Sequence, residues 1–199
     1  MLGLLSIVIA YLLGAIPFGF LLVKFTKGTD VRAAGSGNIG ATNVMRTTGR
    51  AEGVATLILD IAKGFVAVWI AAKLTDDSSL WMSLAALAVM AGHAFPVFLQ
   101  FQGGKAVASF IGAFLYLTPI PLAVALLLFV AVVARTKHIS AGSIVAAAAF
   151  PFGVWMILHP PFEVTLAAFI AGAFIVYRHG SNLQRLRAGT ENVFAWRKP

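Results

Sequence analysis

The chain has 199 residues, 60% of them apolar and 11% charged, with a formal net charge of +8 and no cysteine. A soluble domain carries about a quarter charged residues, so this composition and a mean hydropathy of +0.91 describe an integral membrane protein instead. The missing cysteines exclude disulfides, thiolate metal sites and an acyl-thioester intermediate. The Lys and Arg residues lie between apolar runs rather than in a patch suited to nucleic acid.

A spanning helix takes about 20 apolar residues. Apolar runs fall at Leu2 to Val23, Gly53 to Ala72, Leu80 to Leu99, Ala106 to Leu117, Leu122 to Ala134, Gly142 to Leu158 and Val164 to Tyr177. They predict an all-α integral membrane protein with seven transmembrane helices in a single domain, 1–199. The first run lacks a positive flank and a cleavage site, so it is expected to be retained as a helix. The fourth and fifth runs are short, and "LTPIP" between them predicts a tight turn at Pro119 and Pro121.

Charge then assigns sides. Lys24, Lys27, Arg32, Arg46, Arg50, Lys105, Arg135, Lys137, Arg178, Arg185, Arg187, Arg197 and Lys198 fall in alternate connections and the tail, whereas the other connections carry Lys73, Asp76, Asp77 and Glu163. The positive-inside rule puts the N-terminus outside and the C-terminus in the cytoplasm. The polar, glycine-rich segments, short irregular loops that carry the motifs, are thereby all gathered on the cytoplasmic face. Internal repeats of the kind common in carriers are absent from the sequence.

Three of those segments carry candidate chemistry. In "AAGSGNIGATNVMR", Gly35, Gly37 and Gly40 allow the backbone to turn its N–H groups toward an anion. Ser36, Asn38, Thr42 and Asn43 add side-chain donors, and Arg46 a charged contact. The alternative is a tight capped loop. In "GHAFPVFLQFQGGKAVA", His93 precedes Gly103, Gly104 and Lys105 at the start of an apolar run. Glycines followed by lysine at a helix start favour phosphate, although a Walker A loop would need glycine at Leu99 and a hydroxyl at Ala106. In "YRHGSNLQRLRAGTENVF", His179, Asn182 and Glu191 are candidate site residues, with Arg178, Arg185 and Arg187 available to anionic headgroups. Asp60 and Lys63 share a face inside the second run, as an ion pair or as part of a site. Ser143 is placed either to cap the sixth span or to meet a ligand. The scattered histidines and carboxylates argue for no metal.

Together the segments "GSGNIGATNVMR", "GHAFPVFLQFQGGKAVA" and "HGSNLQRLRAGTEN" resemble the cytoplasmic motifs, in order, of the bacterial acyl-phosphate:glycerol-3-phosphate acyltransferase family. The resemblance implies seven transmembrane helices, residence in the bacterial cytoplasmic membrane and an active site on its cytoplasmic face. It implies transfer of a fatty acyl group from acyl phosphate to the 1-hydroxyl of glycerol 3-phosphate, with lysophosphatidic acid and inorganic phosphate as products. No cofactor, nucleic acid or obligate protein partner is implied, only the two substrates and membrane lipid. By similarity Ser36, Arg46, Lys105, His179 and Asn182 are the catalytic residues. The glycines of the second segment are the phosphate loop, and Glu191 serves in the third. The soluble-donor acyltransferases resemble the chain less: their H-x-x-x-x-D signature would need aspartate at Phe98, Ser143, Val164 or Gln184. A carrier for an organic phosphate is the other functional class, with Asp60 and Lys63 as its best support.

Overall fold

The computed structural model describes residues 1–194, so Arg197 and Lys198 lie outside the described residues. Every regular element among the described residues is helical. They fall into two compact units, Met1–Leu117 and Thr118–Pro199.

The first unit opens with α1 (Leu2–Ala15) and α2 (Phe18–Lys27). The expected first helix is therefore broken, and Pro17 is the reason. Proline cannot donate to the preceding turn and drives the residue before it out of the helical region; Ile16 is extended, at φ −64° and ψ 114°. α2 ends at Gly28 in the left-handed conformation, with Lys24 and Lys27 in its last turn, where cations suit the helix dipole. A 3-10 turn, Val31–Ala33, then leads into the glycine-rich loop and the short α3 (Ala41–Thr47). α4 (Arg50–Leu74), α5 (Ser79–Ala94) and α6 (Val107–Leu117) complete the unit, with a second 3-10 turn, Val97–Leu99, between the last two.

α1 packs on α5 and α4, and α4 on α6. Small residues make these approaches close, as expected of helices associating in lipid. A Cβ on Gly14 or Gly92 would strike main chain across the α1–α5 contact, and one on Gly64 or Gly112 would do so across α4–α6.

The second unit holds α7 (Pro119–Thr136), α8 (Ile139–Leu158), α9 (Phe162–Arg178) and α10 (Gly180–Arg187). α8 packs on both α7 and α9. The turn expected at Pro119 and Pro121 is confined to Thr118, and both prolines lie in the first turn of α7. Their missing N–H groups cost nothing there, because a first turn has no carbonyl to meet.

Five helical stretches are long and apolar enough to cross a membrane: Leu2–Lys27, Arg50–Leu74, Ser79–Leu99, Pro119–Thr136 and Ile139–Leu158. Phe162–Arg178 with Gly180–Arg187, bent by 55°, makes a sixth if taken as one span, while Val107–Leu117 is apolar but shorter. The expected seven is reached only by counting that short helix as well. Large apolar side chains stay exposed along these helices, among them Leu4 and Val8 on α1, Leu127 and Val130 on α7 and Trp155 and Met156 on α8. A surface of that kind belongs against lipid tails.

Candidate active site

Much of the polar capacity of the glycine-rich loop is turned inward. Asn43, 2% exposed, is its strut. Its Nδ2 donates to the carbonyls of Asn38 at 2.8 Å, Ala34 at 3.1 Å and Val31 at 3.3 Å, and its Oδ1 accepts from Ser36 N–H at 2.8 Å. Asn38 Oδ1 accepts from Gly40 N–H at 2.8 Å. These two asparagines, candidates for ligand contact by sequence, hold the shape of the loop. Gly35 and Gly37 take φ of 62° and 70°, a region glycine enters without strain. A Cβ on Gly35 would also collide with the Asn43 side chain. Ser36, Thr42 and Arg46 are left on the exposed side.

A buried apolar cluster of Val23, Val31, Ile39, Val44 and Leu99, covered by Phe20, underlies this loop. Leu99 belongs to the second segment, so the cluster fastens the two loops of the first unit to each other. Arg32, which sequence marks as a topology charge, is forked onto Asp30, with contacts of 2.7–3.1 Å, and lies over the Phe20 ring. Hydrogen bonding from that guanidinium holds the Asp30 carboxyl below its ordinary range, against the opposing effect of burial.

The second segment folds back on the end of α5. Gly104 N–H donates to the His93 carbonyl at 3.0 Å, and Phe101 N–H to the Pro96 carbonyl at 2.9 Å. Gly103 and Gly104 are needed for close approach: a Cβ at 103 would strike the His93 carbonyl, and one at 104 the His93 imidazole at Nε2. Lys105 is half-buried, and Ala106 behind it is buried at a φ of 61°, a conformation that costs an alanine strain. α6 starts only at Val107, so Lys105 precedes the helix instead of opening it.

Lys63 and Asp60 form an ion pair of 2.8 Å, both side chains 3% exposed. The Lys63 ammonium also donates to the carbonyls of Gly14 at 2.8 Å and Ile16 at 2.9 Å. Those carbonyls are ones the Pro17 break releases from helical bonding. These two hydrogen bonds, with the Asp60 carboxylate paired to the same charge, let Lys63 close the broken span from inside. His93, 4% exposed, lies on the other flank of Asp60, with its Nδ1 3.6 Å from Oδ1.

In the second unit Glu191 is the hub. Its Oε1 accepts from Asn182 Nδ2 at 2.8 Å and Ser140 Oγ at 3.0 Å, and its Oε2 from Arg185 Nε at 2.7 Å. Burial acts to raise the Glu191 carboxyl, but the bonds from Asn182, Arg185 and Ser140 outweigh it and hold the group below its usual value. Ser140 was not anticipated from sequence. The tail is pinned further by Phe194 N–H on the Lys137 carbonyl and by His138 Nδ1 facing the Asn192 carbonyl.

His179 stands at the bend between α9 and α10, 3% exposed, with Nδ1 2.7 Å from the Ile175 carbonyl. A carbonyl only accepts, so Nδ1 carries the proton and Nε2 is the basic nitrogen of the neutral ring. Ser143 does not cap α8, because the helix already starts at Ile139; its hydroxyl donates to the Ile139 carbonyl at 3.0 Å. Among the described residues no three His, Asp or Glu side chains are grouped to hold a metal ion.

The sequence model of the family described as glycerol-3-phosphate acyltransferase matches residues 4–189. This chain belongs to that family. It is 47% identical to a glycerol-3-phosphate acyltransferase of Geobacter sulfurreducens, with 94% of each chain covered. It is 50% identical to one from Geobacter metallireducens, over 93% of this chain and 94% of that protein. Two crystal structures of PlsY, an integral membrane glycerol 3-phosphate acyltransferase, share its fold. The glycerol 3-phosphate form matches with a TM-score of 0.91 at 37% identity, over 97% of this chain and 96% of that one. The lysophosphatidic acid form matches at 0.88 and 36%, over 97% of this chain and 95% of that one. The glycerol-3-phosphate acyltransferase family thus accounts for nearly the whole of both units.

Proposed function

We propose that the protein transfers a fatty acyl group from acyl phosphate to the 1-hydroxyl of glycerol 3-phosphate. The substrate hydroxyl oxygen attacks the acyl carbonyl carbon, the bond from that carbon to the phosphate oxygen breaks, and lysophosphatidic acid and inorganic phosphate leave. The likeness of the whole chain to PlsY in its glycerol 3-phosphate and lysophosphatidic acid forms carries this reading. A chain without cysteine excludes an acyl-thioester on the enzyme, and direct transfer needs no acyl-enzyme of any kind. Acyl phosphate brings its own leaving group, so positioning and charge stabilisation suffice for most of the barrier.

Arg46 and Lys105 neutralise phosphate; the N–H groups of Ser36, Gly37, Gly40 and Gly104 already donate to acceptors within the protein, so the glycines of both stretches serve by shaping the loops that carry these cations. Ser36 and Thr42 are exposed to meet substrate, and Ser143 lies near the start of α8, where a ligand could compete for its hydroxyl. His179 and Asn182 orient the attacking hydroxyl or the developing oxyanion, with Glu191 fixing the Asn182 amide. The hydroxyl proton passes to His179 Nε2 or to a phosphate oxygen of the substrates. Lys63 and His93 serve by supporting the loops. An apolar groove between α8 and α9, lined by Ala147, Pro151, Phe152, Phe169 and Gly172 and ending at Tyr177, suits an acyl chain. The chain, 1–199, works as a single transmembrane acyltransferase domain, and no cofactor takes part.

Purified protein in detergent, given acyl phosphate and glycerol 3-phosphate, is expected to form lysophosphatidic acid and release phosphate. Acyl-CoA and acyl-carrier protein are not expected to replace the donor. Absence of product with every donor would defeat the functional reading, and brisk turnover of acyl-CoA would defeat the choice of donor. A carrier has little left to rest on, because Asp60 and Lys63 are engaged within the protein.

For topology we propose seven crossings of the bacterial cytoplasmic membrane, with Val107–Leu117 as the short fourth, the N-terminus outside and all three motif segments cytoplasmic. Single cysteines placed at Gln102, Ser181 or Ala33 of this cysteine-free chain should be labelled by an impermeant thiol reagent from the cytoplasmic side alone. Labelling of any of them from outside would break the common-face arrangement.

A further inference from the structure

Asp60 has no place in the chemistry just described, yet it is a carboxylate 2% exposed in the middle of α4. A buried charge in a membrane span is costly and calls for a reason. Ion pairing to Lys63 is part of it. The other part lies on the opposite flank, where the same oxygen, Oδ1, stands 3.6 Å from His93 Nδ1.

His93 in turn is the template for the lysine loop. Its carbonyl receives Gly104 N–H at 3.0 Å. Its ring edge at Nε2 occupies the space a Cβ on Gly104 would need, and its carbonyl occupies the space a Cβ on Gly103 would need. On the far side of Lys105 the buried Ala106 is held in a left-handed conformation. The lysine is therefore fixed from both sides, by a glycine clamped on the imidazole and by a strained alanine. At 3.6 Å the carboxylate acts on the ring through its charge, which favours the tautomer with the proton on Nδ1 and the rotamer that keeps that edge toward Asp60. Tyr11 of α1 steadies the same end of α5 by donating to the Phe95 carbonyl at 2.8 Å.

We infer that Asp60 is a positioning residue for acyl transfer: through His93 it sets the Gly103–Lys105 backbone in the register that presents Lys105 to phosphate. This rests on the functional reading above and adds a residue to it.

The test is a double-mutant cycle on full-length protein in detergent, measuring kcat/KM with acyl phosphate and glycerol 3-phosphate for wild type, Asp60→Asn, Lys105→Met and the pair. Asp60→Asn should lose at least about tenfold in the wild-type background. In the Lys105→Met background it should lose less than about threefold, because the group it positions is gone. A lesion that only weakened the fold would act alike in both backgrounds. Equal losses in the two backgrounds, or Asp60→Asn within threefold of wild type, would overturn the assignment. Should Asp60→Asn fail to accumulate folded, His93→Gln, which leaves the Asp60–Lys63 pair in place, is read against Lys105→Met by the same criterion. An inactive wild type would instead be a failure of the functional reading, which the first measurement of the cycle reveals.

Discussion

Lys105→Met is expected to lower kcat/KM by about a hundredfold or more while the protein still purifies folded. Removing one preorganised donor from a site of charge development costs about that much in enzymes. The fold should survive, because Lys105 is half-buried in a loop whose main chain is anchored independently on His93. Charge alone does not describe its role. Lys105→Arg keeps the cation and any topology signal, but it puts a longer planar group where a point charge is held by a fixed backbone. It should lose at least about tenfold, equivalent to about 1.4 kcal/mol of barrier. Arg46→Lys should lose a similar factor, since a fork that grips phosphate through two nitrogens becomes a single contact. Arg46 is exposed at the end of α3, so its replacement leaves packing untouched. Near-normal turnover by both charge-conserving variants, at subsaturating levels of each substrate, would reduce the two residues to topology signals.

What sequence discloses and what it conceals divides along a physical line. Long apolar runs, proline at a helix start and loops rich in glycine and lysine are local features, and the structure has α4, α5 and α8 close to where those features put them. The candidate loops were legible for the same reason: glycines, hydroxyls and cations are conspicuous in a chain with 11% charged residues. What sequence left open was which donor meets which acceptor. Asn43 looked like a ligand-binding amide, but its partners at Val31 and Ala34 come within reach only when the 3-10 turn folds over α3. Ser140 could not be distinguished from Ser143 until α8 was seen to start at Ile139 and Glu191 to lie beside its first turn. Pro17 was in plain view. Hydropathy averaged it into a continuous span, although the rule that the residue before proline leaves the helix would have marked the break.

Lys63→Met tests whether that break is held from within. Taking away one member of a buried ion pair costs about 3–5 kcal/mol, because the remaining charge is stranded. Here the loss would strand the Asp60 carboxylate, and it would take the ammonium from the Gly14 carbonyl and from the Ile16 carbonyl, which keeps Phe18 N–H at 3.2 Å. For a chain of this size the apparent melting temperature in detergent should fall on the order of 10 °C. Adding Asp60→Asn should recover part of the fall, since it removes the stranded charge but restores no donor to the two carbonyls. The partial recovery is what separates this role from a ligand contact. A lysine that met substrate would, when replaced, leave the melting temperature alone and lower kcat/KM only. A Lys63→Met protein that melts like wild type would show that the span broken at Pro17 is held by the packing of α1 and α2 on α4, without need of the ammonium.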